Sequence, residues 1–281
     1  MAETETVKQL LRRANRRLQH LDSARLDAEV LLAAATGCGR ETPYSHPEQR
    51  PAGSAVADFH ALVSRRCHGY PVAYLTGCRE FWSLEFLVNR YTLIPRPETE
   101  LLVEAVLETI PADAAVDVLD LGTGCGAIAV ALARERPHWR ITATDVSPEA
   151  LDMARGNAAR AGVETIRFLA SDWFADLTGR RFDLIVCNPP YVASDDAGFS
   201  TGEIRFEPRL ALDGGHAGLA ALQHIIPAAA RHLRPGGRLL LEHGHRQGEA
   251  VRRLLQLHRY RDALTRQDYA GLDRVTAALL P

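Results

Sequence analysis

The chain has 281 residues, 46% of them apolar and 24% charged, which is the balance of an ordinary soluble globular protein. This length allows one large domain or two domains of ordinary size, each with a real core. The formal net charge of −2 excludes a global positive field that would attract nucleic acid.

Cysteine usage and the terminal sequence predict a cytoplasmic protein without disulfides, structural zinc or a membrane span. The five cysteines form no CxxC pair, and an odd number does not suit a disulfide framework. The first nine residues lack the apolar core of a signal peptide. No apolar stretch approaches the ~20 residues that are needed to span a bilayer.

Residues 1–75 are predicted to form a small helical domain. Apolar residues fall at helical spacing in segments that begin near Val7, Leu26 and Ala55. Gly37 is expected to end the second of these helices. The first helix carries an arginine cluster that either binds an acidic or phosphate-rich partner or forms a solvated helix face: Arg12, Arg13, Arg16 and Arg17.

Residues 76–95 change in character and mark the boundary between two domains. Phe81–Val88 is aromatic and partly alternating, which predicts a strand or a hairpin. Pro95–Thr99 then forms a stiff loop. We expect Thr99 or a neighbour to cap a helix over Glu100–Thr109.

From Val116 onward, strands alternate with helices. The predicted strands are Val116–Leu121, Arg140–Asp145, Ile166–Ala170, Phe182–Cys187 and Arg238–His243. The predicted helices are Ala127–Glu135, Pro148–Ala161 and Leu219–Leu233. This rhythm is typical of an α/β fold with a doubly wound parallel sheet. The apolar tail Asp273–Leu280 is expected to add terminal strands.

The first of these strands runs into a glycine-rich turn and then a helix, as in cofactor sites of the nucleotide type. The turn has the pattern G-x-G-x-G and consists of Gly122, Thr123, Gly124, Cys125 and Gly126. Glycines here let the backbone approach a ligand closely. The carboxylate of Asp120, just before the turn, would repel the pyrophosphate of NAD. It can instead help to hold an ammonium group, as in the methionine part of S-adenosylmethionine (AdoMet).

Three side chains near later strand ends complete the candidate cofactor site. Asp145 ends the second strand, where a carboxylate can accept hydrogen bonds from both ribose hydroxyls of NAD or AdoMet alike. Asp172 and Trp173 follow the third strand and are predicted to contact adenine. A plain core position is the alternative for Trp173.

The fourth strand ends at Asn188-Pro189-Pro190-Tyr191, at the edge where open α/β sheets bind ligands. Asn-Pro alone favours a turn, but this tetrapeptide suits a clamp for a planar –NH₂ group. The side-chain oxygen of Asn188 and the carbonyl of Pro189 can accept its two N–H groups. The two prolines stiffen the loop, and Tyr191 offers a flat face for stacking.

With these residues in place, the chain resembles the peptide chain release factor glutamine N5-methyltransferases (the PrmC/HemK family) along nearly its whole length. The clamp tetrapeptide is shared with DNA adenine methyltransferases, whereas the Pro-Arg-Pro-Glu-Thr and Arg-Phe-Glu-Pro segments are more specific to this family. The segments that carry the resemblance are Arg79–Leu84, Leu93–Glu100, Asp120–Gly124, Ser171–Phe174, Asn188–Tyr191, Arg205–Pro208 and Leu241–Gly244.

The resemblance implies a domain plan and a reaction. It implies a helical substrate-recognition domain (1–75), a β-hairpin linker (76–95) and a seven-stranded Rossmann-like AdoMet-dependent methyltransferase domain (96–281). The methyl group would pass from AdoMet to the side-chain amide of the glutamine in the Gly-Gly-Gln loop of class I release factors. S-adenosyl-L-homocysteine would be the other product.

The resemblance also implies roles for the clamp residues. Asn188, Pro189 and Tyr191 would be catalytic, and Pro190 would complete the substrate site. Asn188 would border the cofactor as well. No nucleic acid, membrane or metal is expected as a partner.

Three other functions compete with this interpretation. A nucleic-acid adenine-N6 methyltransferase would use the same tetrapeptide on a flipped base, but it needs a basic surface or a recognition insert. A non-catalytic AdoMet-binding protein would not need the clamp. An NAD-dependent oxidoreductase is disfavoured by Asp120 and by the clamp.

Two further sets of residues have two interpretations each. His243 and His245 have a spacing that can ligate metal, but no further ligands accompany them, so Glu242 and His243 are expected to shape the end of the fifth strand. The second set forms either a flap at the substrate rim or ion pairs between loops: Arg96, Glu98, Arg205 and Glu207.

Overall fold

The structure, a computed structural model, describes residues 5–39 and 41–281. Residues 1–4 and Arg40, which fall within the predicted domain 1–75, lie outside the described residues. Among the helices of the described part, none combines the length and the apolarity needed to cross a membrane.

The described chain divides into two units that are not continuous in sequence. The first contains the residues up to Gly77 together with Thr201–Phe206. The second contains Cys78–Ser200 and Glu207–Pro281. Because Thr201–Phe206 is remote in sequence from the rest of its unit, tertiary contacts must hold it there.

The first unit is helical, as predicted, and its helices pack around an apolar core. A capping box between Thr6 and Gln9 starts the first helix. Gly37 ends the second helix in the left-handed conformation, as expected from the sequence. The helices are α1 (Val7–Leu18), α2 (Ala24–Thr36), α3 (Thr42–Ser45), α4 (Gly53–Cys67) and α5 (Val72–Thr76). The fully buried core side chains include Leu10, Leu18, Leu31 and Phe59.

A buried arginine joins three parts of this unit. Arg66 of α4 donates to Asp27 of α2 at 2.6 Å and to Glu203 at 2.6 Å. Within the same unit, Phe206 stacks on Tyr70 with ring centroids 4.1 Å apart. These contacts hold Thr201–Phe206 against the helices.

The second unit begins with the hairpin that the sequence indicated. Strands β1 (Cys78–Phe81) and β2 (Leu84–Leu87) pair antiparallel through a turn at Trp82 and Ser83, both of which have positive φ. The backbone N–H of Trp82 donates to the side chain of Glu100, which anchors this strained turn.

Helix α6 (Glu100–Thr109) follows a short 3₁₀ turn. Thr99 occupies the capping position, but its side chain makes no capping hydrogen bond. The expectation that Thr99 or a neighbour caps this helix is therefore wrong for Thr99.

The remainder of the second unit alternates strands and helices as predicted. The strands are β3 (Asp117–Leu121), β4 (Arg140–Asp145), β5 (Arg167–Ala170), β6 (Phe182–Cys187), β7 (Leu233–Glu242), β8 (Arg261–Gln267) and β9 (Asp273–Leu279). The helices are α7 (Ala127–Glu135), α8 (Pro148–Arg160), α9 (Ala220–His232) and α10 (Gly248–Leu257). These strands form one sheet in the order β5-β4-β3-β6-β7-β9-β8. The predicted seven-stranded α/β fold is confirmed.

The sheet is mixed, which differs from the predicted parallel sheet. Strand β9 runs antiparallel to both of its neighbours, whereas β3 to β7 pair in parallel. Only the short turn Asp268–Leu272 joins β8 to β9, and a short connection can join only antiparallel strands. Helix α10 was not predicted, although Val251, Leu254 and Leu255 fall at helical spacing. Val251 and Leu255 are its buried apolar residues.

The register of the sheet aligns the ends of four strands. Leu121 of β3 is opposite Thr144 of β4 and Cys187 of β6, and Cys187 is opposite Leu241 of β7. The next residue in each strand or loop therefore lies at the same edge of the sheet: Asp145, Gly122, Asn188 and Glu242. The chain passes from β3 to β4 on one side and returns to β6 on the other, so this edge is a topological switch point.

Candidate active site

A cavity of about 530 Å³ opens at this edge, and all of its lining residues belong to the second unit. Most of the residues predicted for the site line it: Gly122, Gly124, Asp145, Asp172, Trp173, Asn188 and Pro190. The other predicted residues are not in the lining: Asp120, Thr123, Cys125, Gly126, Pro189 and Tyr191. The structure thus brings the predicted set together in two layers, one facing the cavity and one behind it.

The glycine turn forms one wall of the cavity. Gly122, Gly124 and Gly126 all have positive φ, a conformation that glycine adopts without steric cost. The backbone N–H of Gly124 donates to Oδ2 of Asp145 at 2.8 Å. That bond fixes the turn to the end of the neighbouring strand.

Asp145 combines burial with two backbone hydrogen bonds. Its Oδ1 accepts from the backbone N–H of Ser147 at 2.9 Å, and Oδ2 accepts from Gly124. Burial raises the pKa of Asp145, and the backbone donors oppose this effect. The carboxylate is held in one orientation at the cavity wall.

Asp120 lies behind the turn and has no exposed surface. Its Oδ2 accepts from the Thr123 hydroxyl at 2.6 Å, while its buried Oδ1 has no hydrogen-bond partner among the described residues. Burial raises the pKa of this carboxyl to about 7. The predicted contact between Asp120 and an ammonium group stays a prediction. In this structure the carboxylate binds Thr123.

Cys125 and Gly126 support the turn from behind. Cys125 is buried, and burial raises the pKa of its thiol to about 12, so the thiol stays protonated. Its carbonyl accepts from Nδ2 of Asn157 in α8. A Cβ at Gly126 would lie 3.1 Å from Cβ of Ala154, also in α8.

Trp173 both lines the cavity and packs against the apolar core, and its predicted contact with adenine stays a prediction. It lines the cavity next to the exposed Asp172, and its other contacts are with the apolar core beneath the sheet. Its φ is +50°, and its carbonyl accepts from the buried hydroxyl of Ser171. The ring of His224, in α9, lies 6.4 Å away and lines the same cavity.

Asn188 lies at the centre of the aligned strand ends. Its Nδ2 donates to the hydroxyl of Thr99 at 3.2 Å. Its Oδ1 accepts no hydrogen bond from any residue that the structure describes. The half-buried Asn188 side chain therefore presents an available acceptor where it borders the cavity.

Tyr191 contacts the end of the neighbouring strand β7. Its hydroxyl donates to Oε1 of Glu242 at 3.1 Å, and burial raises its pKa. The predicted stacking of a substrate amide on this ring stays a prediction, since Tyr191 is not in the lining of the cavity.

Glu242 is the charged group that sequence reasoning did not place in the site. It is fully buried, burial raises its pKa to about 7, and its Oε2 has no hydrogen-bond partner among the described residues. Its position was foreseeable as the end of the fifth strand. Its approach to Asn188 and Tyr191 depends on the register between β6 and β7.

His243 makes hydrogen bonds that account for both ring nitrogens. Nε2 lies 2.8 Å from the Thr276 hydroxyl and Nδ1 lies 3.0 Å from the Gly244 carbonyl. Burial lowers its pKa. No group of three potential metal ligands occurs within residues 5–39 and 41–281.

The contacts of Glu207 favour the second interpretation of these residues, an ion pair between loops, over a flap at the substrate rim. Its carboxylate accepts from the backbone N–H of Ile94 and pairs with Arg96. The loop that follows supplies Leu210 and Asp213 to the cavity. Arg205, in contrast, donates to the carbonyl of His68 within the first unit.

The cavity wall is acidic and partly apolar. Its charged lining residues are Asp145, Asp172 and Asp213, and no lysine or arginine is present among the described lining residues. Val146, half-exposed, and Leu93 add apolar surface. Such a wall suits a cationic ligand with an apolar part and is poorly suited to a pyrophosphate.

Comparisons with known proteins agree with this description. The family model described as PrmC N-terminal domain matches residues 9–77, and the model described as Methyltransferase small domain matches residues 98–205. The release factor glutamine methyltransferase of Salmonella typhimurium is 48% identical, over 95% of this chain and 96% of the relative. That of Escherichia coli is 46% identical, with the same two shares.

A solved structure shares the fold at low sequence identity. The hMettl16 catalytic domain in complex with MAT2A 3'UTR hairpin 6 matches with a TM-score of 0.57 and 17% identity. The match covers 77% of this chain and 81% of that chain. At this identity the likeness concerns the fold alone.

Proposed function

Because this chain belongs to the family of release factor glutamine methyltransferases, we propose that it methylates the side-chain amide nitrogen of the glutamine in the Gly-Gly-Gln loop of class I release factors. The methyl donor is AdoMet and the setting is the cytoplasm. The family membership that the motifs predicted is confirmed by the relatives described above.

One observation carries this proposal: an uncommitted amide oxygen of Asn188 borders the cavity at the switch point. A glutamine carboxamide has two N–H donors and needs acceptors, because its nitrogen is a poor nucleophile with a delocalised lone pair. Oδ1 of Asn188 can accept one N–H and the carbonyl of Pro189 the other. The two prolines, one of them buried, hold these acceptors in place.

The cavity fits AdoMet by its donor set and its backbone. Asp145 would accept from ribose hydroxyls at the cavity wall, and Gly122 and Gly124 add no side chain between the backbone and a ligand, while the hydroxyl of Thr123 is bonded to Asp120. Trp173 and Val146 provide apolar surface for adenine. When bound, AdoMet supplies an electrophilic methyl group on a sulfonium.

The residues of the chain then act mainly by placement. Asn188 and Pro189 hold the substrate nitrogen in a fixed position, an effect that can reach about 7–11 kcal/mol in favourable cases. Both acceptors can also stabilise the positive charge that develops on that nitrogen. The glutamine is held by neutral groups, so we assign no general base.

The helices of the first unit are proposed to recognise the release factor. Support comes from the match of residues 9–77 to the PrmC N-terminal domain.

The decisive experiment incubates the chain with AdoMet and a class I release factor and examines the loop peptide by mass spectrometry. We expect one added methyl group on the glutamine, and none on a release factor whose loop glutamine is replaced by alanine. Parallel reactions with tritiated AdoMet on DNA and RNA test the adenine alternative. Methylation of nucleic acid without methylation of the release factor would contradict the proposal.

The variant Asn188→Ala tests the clamp itself. Loss of the acceptor should lower kcat by about 100-fold or more, while calorimetry should show AdoMet binding largely retained. Near-normal methylation by this variant would remove Asn188 from the mechanism.

A further inference from the structure

The hydroxyl of Thr99 has an unusual use for a residue at a helix start. Thr99 is 4% exposed and occupies the capping position of α6, yet its side chain does not cap the helix. The hydroxyl instead accepts from Nδ2 of Asn188 at 3.2 Å. Its hydrogen-bonding capacity therefore serves the active site.

Glu242 is a second polar group that interacts with this hydroxyl. The sheet register places Glu242 beside Asn188, and Oε1 of Glu242 accepts from Tyr191. Its buried Oε2 has no hydrogen-bond partner among the described residues. Burial raises the pKa of this carboxyl and hydrogen bonding by the Thr99 side chain lowers it, so the Thr99 hydroxyl is a donor within reach of Glu242.

The side chains of Glu242, Thr99 and Asn188 determine which of them donates and which accepts in each hydrogen bond. Above its pKa of about 7 the Glu242 carboxylate is ionised and can only accept, so the hydrogen of the Thr99 hydroxyl is then directed to Glu242. The lone pairs of Thr99 then face Asn188, and only the –NH₂ branch of an amide can donate to them. The –NH₂ branch of Asn188 is committed, and its oxygen branch is left for the cavity.

We infer that Thr99, with Glu242 behind it, is a positioning residue that decides which branch of the Asn188 amide is offered to the substrate. This inference rests on the proposed function, in which Oδ1 of Asn188 accepts from the glutamine amide. A flipped Asn188 would present N–H groups to the N–H groups of the substrate. Such a donor–donor contact cannot hold the carboxamide.

The test compares two substitutions that differ by one hydroxyl. Thr99→Val removes the hydroxyl at nearly constant volume, and Thr99→Ser retains it. We expect Thr99→Val to lower kcat by about 10- to 100-fold, with little change in KM for the release factor or in Kd for AdoMet. Thr99→Ser should recover most of the lost rate.

The matched control is Thr142→Val in β4. Thr142 is also 4% exposed and also accepts one hydrogen bond at 3.2 Å, from Arg180. It has no contact with the proposed clamp. The kcat of the Thr142→Val variant should remain close to that of the wild type. This result would separate the specific effect at Thr99 from the general cost of removing a buried hydroxyl.

A second readout does not depend on activity. The chain has four asparagines, so asparagine-selective ¹⁵N labelling gives a simple side-chain spectrum. Asn188→Ala identifies the pair of signals from Asn188. Their proton exchange should accelerate by about three- to tenfold in Thr99→Val and remain slow in Thr99→Ser and Thr142→Val.

The outcomes separate this inference from the proposed function. A wild-type chain that methylates no release factor contradicts the function, while the exchange rates still decide the role of Thr99. Wild-type kcat and unchanged Asn188 exchange in Thr99→Val would overturn the inference. Equal losses in Thr99→Ser and Thr99→Val would also overturn it, because the hydroxyl would then not be responsible.

Discussion

Two carboxyl groups at the candidate site have the same unusual environment. Asp120 and Glu242 are both fully buried, and burial raises the pKa of each to about 7. Each retains one oxygen without a partner among the described residues. Perturbed buried carboxyls beside a cavity are typical of functional sites, where stability is given up for chemistry or binding.

Glu242 predicts a pH dependence of stability with a definite sign. Its folded-state pKa of about 7 lies above the ordinary value of 4.5, so the folded protein binds the proton more tightly than the unfolded chain. The contribution of this proton to the stability of the fold is complete below pH 4.5 and is lost as the pH rises through 7. Arg274 opposes the shift and Glu98 adds to it.

The variant Glu242→Gln should therefore gain stability relative to the wild type as the pH rises, by up to about 3 kcal/mol at pH 8. Urea denaturation at a series of pH values between 5 and 8 measures the difference. Asp120 is present in both proteins, so its own titration cancels. A difference that shrinks with rising pH would show that Glu242 does not carry the shifted pKa.

At the scale of elements, the glycine turn between β3 and α7 depends on contact with α8. Gly126 has a φ of +86°, and a Cβ there would meet Cβ and Cα of Ala154 at 3.1 and 3.2 Å. Backbone atoms cannot move aside as a flexible side chain can. The last glycine of the turn is therefore required by helix packing as well as by conformation.

Gly126→Ala should destabilise the fold more than a substitution that adds only backbone strain. The matched control is Gly162→Ala, just after α8, which has a φ of +68° and no atom within 4 Å of its added Cβ. We expect the free energy of unfolding to fall by roughly 1–2 kcal/mol in the control. It should fall by about 1–3 kcal/mol more in Gly126→Ala. Equal losses by chemical denaturation would show that the contact with Ala154 has no cost.

At the scale of the whole molecule, the first unit combines segments that are distant in sequence. Arg66 pairs with both Asp27 and Glu203, and its side chain is 5% exposed. Removing one member of a buried ion pair leaves the other charge without compensation. The integrity of this unit therefore depends on a segment that follows the clamp by about ten residues in the sequence.

Arg66→Met should lower the free energy of unfolding by about 3–5 kcal/mol, since methionine keeps much of the apolar stem but removes the charge. Arg13→Met is the control in the same unit, because Arg13, which pairs with Glu5, has a side chain that is 55% exposed. That change should stay within about 1 kcal/mol. Guanidinium denaturation measures both. A loss at Arg66 no larger than at Arg13 would contradict a structural role for the buried pair.

Local patterns in the sequence were enough to predict most strands and helices of the second unit. Continuous apolar runs such as Phe182–Cys187 identify strands that are buried on both faces, and the glycines from Gly122 to Gly126 identify the turn that follows. The clamp at Asn188 is readable because residue type and position after a strand coincide. These features are local, so neighbours in the sequence carry their signal.

Tertiary structure alone decided the rest. Glu242 meets Tyr191, and Thr99 meets Asn188, because strand register and loop packing join residues that are 51 and 89 positions apart. The assignment of Thr201–Phe206 to the first unit follows in the same way from the pairing of Glu203 with Arg66 and the stacking of Phe206 on Tyr70. Periodicity and composition describe which face of an element is apolar, but they contain no information on which polar groups share a buried space.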